Sequence, residues 1–137
     1  MEQLQEAVTI PARKSGLADL RNYLRELCKQ SGIRPSTTRR IVLAVDEAMS
    51  NVMEHGRVGQ GAPVEVSVEI NGKKIVTRIA DGGAKFDSSK PVRELPENRH
   101  GIKRGFGLYL IHLVTDSVEY ERTEEGKNVL TLTIYGQ

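Results

Sequence analysis

The sequence has one cysteine, no tryptophan and few aromatic residues, and each shortage argues against a class of protein. A single cysteine, Cys28, cannot form an internal disulfide, which excludes a fold held together by such bonds. Aromatic residues make up 4% of the chain, too few to suggest a stacking surface for nucleic acid. No apolar run approaches the roughly 18 residues of a membrane span, and the first residues do not resemble a signal peptide. We therefore expect a cytoplasmic protein without membrane contact.

The chain also lacks an excess of charge of either sign. It has 20 basic and 18 acidic residues in a length of 137, so any basic surface must arise from local clustering. Overall charge therefore gives no reason to expect direct nucleic-acid binding. The length and the 38% of hydrophobic residues suit one domain with its own core, and we expect a single domain over residues 1–137.

The hydrophobic pattern predicts five strands and three helices. Apolar residues recur at helical spacing in the helices and alternate with polar ones in the strands. The predicted elements are a strand Glu6 to Ala12, helices Gly16 to Ser31 and Arg39 to Gly56, strands Val64 to Ile70 and Lys73 to Ala80, a helix Leu108 to Val114, and strands Ser117 to Arg122 and Asn128 to Tyr135. Tight turns, including an Asn71-Gly72 hairpin, predict mostly antiparallel pairing with the helices on one face of the sheet.

The first candidate site residues are Glu47 and Asn51, one turn apart on the polar side of an amphipathic helix. A carboxylate beside a carboxamide can act as a general base and as an oxygen ligand for Mg²⁺. Polar pairs at this spacing are also common on the solvent face of helices. The pair alone therefore leaves both interpretations open.

Two glycine-containing stretches offer the remaining parts of a nucleotide site. Asp81 ends a predicted strand and opens into Gly82 and Gly83, where a fixed carboxylate can accept a hydrogen bond from the amino group of adenine. A simple Asp-Gly-Gly turn explains the same residues. The stretch Gly105 to Gly107 leads into a helix, where exposed N–H groups favour phosphate, although glycines also enter loops only to permit turns. Together with the helix pair, these stretches form a combination more specific than its parts.

That combination resembles the GHKL, or Bergerat-fold, ATPases, and more narrowly the bacterial anti-sigma factor serine/threonine-protein kinases. The motifs are Glu47-x-x-x-Asn51, similar to the N-box, Asp81-x-Gly83, similar to the first glycine box, and Gly105-x-Gly107-Leu108, similar to the second. The resemblance covers nearly the whole chain. It implies an α/β (α+β) two-layer sandwich, with a mixed but mostly antiparallel sheet covered on one face by three helices.

One departure from the wider superfamily favours the narrower family. Many GHKL proteins have glycine where this chain has Lys85, whereas the serine-kinase branch tends toward D-x-G-x-x-F-D, which Phe86 and Asp87 complete here. The resemblance also implies an ATP lid over about residues 82–105, with Asp87 to Lys103 as its main part.

The resemblance implies ATP and Mg²⁺ as cofactors and gives each motif residue a role. Glu47 is implied as the catalytic base, Asn51 as the Mg²⁺ ligand and Asp81 as the acceptor for adenine. The other nucleotide-binding residues that it implies are Gly83, Lys85, Phe86, Arg104, Gly105, Phe106, Gly107 and Leu108. For Arg104 or Lys103, contact with the γ-phosphate and a role as a solvated loop cation are equally open.

The activity implied is that of a protein serine/threonine kinase that phosphorylates an anti-anti-sigma partner of the STAS type and sequesters a sigma factor, acting as a homodimer. Two alternatives stay open. The first is a non-catalytic, nucleotide-regulated binding module for partner switching. The second is the catalytic ATP-binding domain of a histidine kinase. The outer side of the first helix, with Arg21 and Arg25, is a candidate surface for a partner.

Overall fold

Five strands form one sheet in the computed structural model, which describes residues 3–55, 59, 61–85 and 109–136. The strands are β1 Gln3–Pro11, β2 Pro63–Asn71, β3 Lys74–Asp81, β4 Ser117–Arg122 and β5 Asn128–Tyr135. They are ordered β1-β2-β3-β5-β4, and all of these pairings are antiparallel. The predicted fold class, with a predominantly antiparallel sheet, is confirmed.

Three helical segments pack on one face of this sheet. They are α1 Lys14–Gln30, α2 Pro35–His55 and α3, whose described part covers residues 109–114. α2 begins at Pro35, ahead of the predicted stretch Arg39 to Gly56, because Pro35 suits the first helical position, where an N–H would have no partner. No helix in the described part of the chain is both long and apolar enough to cross a bilayer.

The core lies between the helices and the inner face of the sheet. Every second residue of β2 is buried, from Val64 to Ile70, while the residues between them are less buried or exposed. This alternation is what a sheet with one packed face requires. The largest fully buried side chains of the helices are Leu20 and Leu24 of α1, Ile41, Val45 and Met49 of α2, and Ile111 of α3.

The hairpin between β2 and β3 differs from its prediction by one residue. Asn71 pairs with Lys74, so the two-residue loop consists of Gly72 and Lys73 rather than Asn71 and Gly72. Gly72 has a φ of 63°, in the left-handed region that glycine adopts without strain. This register places Ile70 opposite Ile75, and both side chains are buried in the core.

Two contacts fix the helices against the sheet and against each other. Gly16 in the first turn of α1 lies so close to the carbonyl oxygen of Pro11 in β1 that a Cβ atom would collide with it. At the other end of the layer, Arg40 of α2 donates from Nε to the carbonyl oxygen of Val114 at 2.9 Å and forms an ion pair with Asp116 at 3.3 Å. α2 is therefore tied to the segment that follows α3.

The order of the strands sets the position of the candidate site. β3 lies beside β5 rather than beside β4, its successor in sequence. As a result, the last residue of β3, Asp81, is directly opposite the first residue of β5, Asn128.

Candidate active site

Asn51 lies on α2 and is buried, with 5% of its surface exposed. Its Nδ2 atom is fully buried and has no hydrogen-bond partner among the residues that the structure describes. A buried amide group without a partner costs about 1–3 kcal/mol, so such groups are rare unless a ligand or water satisfies them. This donor would be satisfied by an acceptor atom of a bound group, such as a phosphate oxygen.

Glu47 lies one helical turn before Asn51 and is half-buried. Burial raises the pKa of the Glu47 carboxyl above its usual value, and the neighbouring carboxylates of Asp46 and Glu54 raise it further. A carboxyl whose pKa is moved toward neutrality is better suited to accept a proton from a hydroxyl group. The pKa of Glu47 is therefore shifted in the direction that suits a general base.

Asp81 is held at the end of β3 by hydrogen bonds to one of its two carboxylate oxygens. Its Oδ1 accepts the backbone N–H of Gly83 at 2.9 Å and Nδ2 of Asn128 at 3.1 Å. The bond to Gly83 closes a local turn of the kind that aspartate favours before glycine. Both bonds go to Oδ1, and no described residue bonds to the second oxygen, which could accept a bond from a ligand.

Asn128 connects Asp81 to three other groups. Its Nδ2 also donates to the carbonyl oxygen of Ala84 at 2.8 Å, and its Oδ1 accepts from the hydroxyl of Tyr120 at 2.6 Å and from Nη1 of Arg122 at 3.2 Å. The side chain is 5% exposed. Asn128 therefore fixes the orientation of Asp81 from the neighbouring strand.

Arg122 supports the same turn from β4. Its Nη1 donates to the carbonyl oxygen of Gly83 at 2.8 Å as well as to Asn128. Sequence reasoning missed Tyr120, Arg122 and Asn128. The predicted β4–β5 hairpin brings Arg122 opposite Asn128, but nothing in the sequence indicated that β5 lies beside β3.

The other predicted nucleotide-binding residues are only partly within the described residues. Gly83 is buried in the turn after Asp81, and Lys85 is exposed two residues later. The predicted residues Phe86, Arg104, Gly105, Phe106, Gly107 and Leu108 lie outside the described residues, as does most of the predicted lid. The structure thus describes the predicted site at Glu47 and Asn51 and at the adenine acceptor Asp81.

The described residues hold no group of three or more His, Cys, Asp or Glu side chains arranged to bind a metal ion. Mg²⁺ in phosphoryl-transfer sites is usually bound by one or two protein oxygens together with substrate phosphates and water. A single carboxamide oxygen from Asn51 is consistent with that mode of binding.

The family of the chain follows from comparison with known proteins. The model of the histidine kinase-like ATPase domain matches residues 10–134. The chain belongs to this family. The resemblance to GHKL ATPases is confirmed, and ATP binding is a property that the family leads us to expect.

Curated relatives point to one branch of the family. The serine-protein kinases RsbW of Bacillus cereus strain AH187 and of Bacillus anthracis strain A0248 are each 26% identical to the chain over 143 aligned positions. Each alignment covers 95% of this chain and 85% of the relative. The similarity therefore extends over nearly the whole of both proteins.

Solved structures confirm the fold. The structure of the RsbU and RsbW domains of Rv1364c from Mycobacterium tuberculosis has a TM-score of 0.71 at 19% identity, and covers 97% of this chain but 32% of that longer one. SiaB in the SiaB–SiaC complex from Pseudomonas aeruginosa has a TM-score of 0.69 at 15% identity, and covers 94% of this chain and 88% of its own. The histidine kinase AdeS from Acinetobacter baumannii is less similar, with a TM-score of 0.51 at 12% identity.

Proposed function

We propose that the chain is a protein serine/threonine kinase that uses Mg-ATP, phosphorylates an anti-anti-sigma partner of the STAS type and sequesters a sigma factor. The observation that carries this proposal is the pair on α2. Asn51 is buried with an unsatisfied Nδ2, and Glu47, one turn away, has a raised pKa. The similarity to RsbW kinases along nearly the whole chain supports the kinase branch of the family.

Each described site residue has a defined task in this reaction. Asp81 accepts a hydrogen bond from the adenine amino group through the oxygen that Asn128 and Gly83 leave available. Asn51 supplies an oxygen ligand to Mg²⁺, which neutralises phosphate charge when bound. Glu47 accepts the proton of the attacking serine hydroxyl. The serine oxygen bonds to the γ-phosphorus while the bond between that phosphorus and the leaving ADP oxygen breaks.

The proposed protein partner is supported by the similarity to other proteins. The similarity to SiaB, which was solved in complex with SiaC, supports a protein partner. We also propose a homodimer in the cytoplasm and a single domain with the lid over about residues 82–105.

The test is phosphate transfer from γ-labelled ATP to a candidate STAS protein, with a serine-to-alanine version of that protein as the negative control. Glu47→Gln keeps the size of the side chain but cannot accept the proton, so transfer should fall by about 10²-fold or more while ATP binding is retained. Glu65→Gln, the same change at an exposed position of β2, should leave transfer unchanged.

The outcomes separate the open alternatives. Full transfer by Glu47→Gln would refute the role of Glu47 as base. ATP binding without transfer to any STAS candidate, combined with capture of the partner, would favour the non-catalytic binding module. Transfer to a histidine rather than a serine would favour the histidine kinase alternative, toward which the structural similarity is lower.

A further inference from the structure

A groove with a basic rim runs between the outer sides of α1 and α2, and its volume is about 820 Å³. On α1 the rim is formed by Arg21, Arg25 and Lys29, which recur every four residues and so share one side of the helix. Leu17, Leu24 and Cys28, which face the core, border this stripe on its inner side. The groove is therefore open to partners on the surface of the helical layer.

The groove carries a local excess of positive charge. Arg39 of α2 joins the three cations of α1, and Asp46 is the one carboxylate in the lining. Arg21 already pairs with Asp46 at 2.7 Å. The other three cations are exposed and make no ion pair within the part of the chain that the structure describes. In a chain with a net charge of only +2, this surface is a local concentration of basic side chains.

The floor of the groove is apolar. It is formed by Ile33 in the connection between the helices and by Pro35, Val42 and Leu43 of α2. Leu43 and Ile33 are half-buried, so part of their surface can still be covered. Nucleic acid would use the cations but would leave this floor uncovered, whereas a segment with carboxylates on one side and apolar residues on the other would use both.

The dimensions of the groove suit a short helix. At 1.5 Å per residue, the stripe from Arg21 to Lys29 is about 12 Å long and the stripe from Pro35 to Asp46 is about 16 Å long. These lengths correspond to two to three turns of a helix laid along the groove.

We propose that this groove binds an acidic amphipathic helix of a protein partner. Carboxylates of the helix pair with Arg25, Lys29 and Arg39, and its apolar side covers Ile33 and Leu43. Binding at this surface requires neither nucleotide nor Glu47, so the inference goes beyond the proposed phosphate transfer.

The probe is a fluorescein-labelled designed peptide of about sixteen residues, with leucine at helical spacing on one side and glutamate elsewhere. Binding to the whole chain is measured by fluorescence anisotropy. Three competitors are compared: the same peptide with lysine for glutamate, a version with the leucines scrambled, and a DNA duplex. Only the acidic amphipathic peptide should bind in the micromolar range.

Variants locate the binding surface. The double variant Arg25→Glu/Arg39→Glu should weaken peptide binding by about tenfold or more, and Leu43→Ser by about fivefold. The control is Arg78→Glu, the same charge reversal at an exposed position of β3 that pairs with Glu69. That control should stay within about twofold of the wild type.

Four results would overturn the proposal: no binding of the acidic peptide, equal weakening by Arg78→Glu, equal binding of the scrambled peptide, or DNA binding that depends on Arg25 and Arg39. Affinity for a non-hydrolysable ATP analogue is measured in the same samples. Loss of nucleotide binding with peptide binding intact would count against the proposed kinase function and leave the groove assignment standing.

Discussion

Asn128 offers the strongest test of how the adenine end of the site is built. Asn128→Ala removes the hydrogen bonds to Asp81, Ala84, Tyr120 and Arg122, four within the described residues, from a side chain that is 5% exposed. A neutral hydrogen bond contributes about 1 kcal/mol and one to a charged group about 1.5–3 kcal/mol, but bonds within a network are not additive. We expect a loss of about 2–4 kcal/mol in the free energy of unfolding.

That loss is large enough to measure in a chain of this size. It corresponds to a fall in Tm of roughly 6–15 °C by thermal denaturation. Affinity for an ATP analogue, measured by titration calorimetry, should fall roughly tenfold, because Asp81 is no longer held in one orientation. Asn128→Asp should be at least as damaging, since it replaces the donor to Asp81 with a second carboxylate.

Asn22→Ala provides the matched control, because Asn22 is exposed on α1 and makes no hydrogen bond within the described residues. Its Tm should equal or slightly exceed that of the wild type, since alanine favours the helix. If Asn128→Ala stayed within about 2 °C of the wild type and bound the analogue equally well, the hydrogen bonds to Asp81 would not be what positions it.

Three further changes test single contacts. Tyr120→Phe removes only the 2.6 Å bond to Asn128 and should cost about 1 kcal/mol in urea denaturation; no change would mean that this hydroxyl is equally well satisfied by water. Gly16→Ala should cost about 1–3 kcal/mol in the same assay despite the helix preference of alanine, because the new methyl group meets the backbone of Pro11. Glu47→Gln should raise the Tm at pH 7. A raised pKa means that ionisation of Glu47 opposes folding, so this gain should disappear below about pH 4, where the wild-type carboxyl is protonated in both states.

Local pattern was sufficient to predict the elements that carry Glu47, Asn51 and Asp81. The apolar arc of α2 and the alternation of β2 follow directly from the helix and strand periods, and both elements appear in the structure. Asp81 ends β3 one residue beyond the predicted strand end. The candidate residues could be found because each belongs to a short continuous segment.

The hairpin register shows where local pattern is insufficient. Asn-Gly favours a two-residue turn, but a turn centred on Asn71 and Gly72 would place Lys73 opposite Ile70 on the core face. Moving the turn by one residue brings Ile75 to that position instead. Keeping the charged side chain of Lys73 off the core face outweighs the preference of one dipeptide.

Asn128 could not be predicted for a different reason. It is 47 residues from Asp81 in sequence, and the two meet only because β5 lies beside β3. The antiparallel β4–β5 hairpin is compatible with either of its strands beside β3, so local periodicity does not decide between them. The strand order, and with it the network that holds Asp81, is a property of the tertiary structure.

The groove and the candidate active site share α2, and Asp46 is the residue that links them. Asp46 lines the groove, where it pairs with Arg21, and its carboxylate also raises the pKa of the adjacent Glu47. Carboxylates of a helix docked on Arg25, Lys29 and Arg39 would add negative charge on the groove side of α2, and nearby negative charge raises the pKa of a carboxyl group such as that of Glu47. An acidic partner in the groove would therefore act on the proposed base from the outer side of the same helix, without contacting the nucleotide.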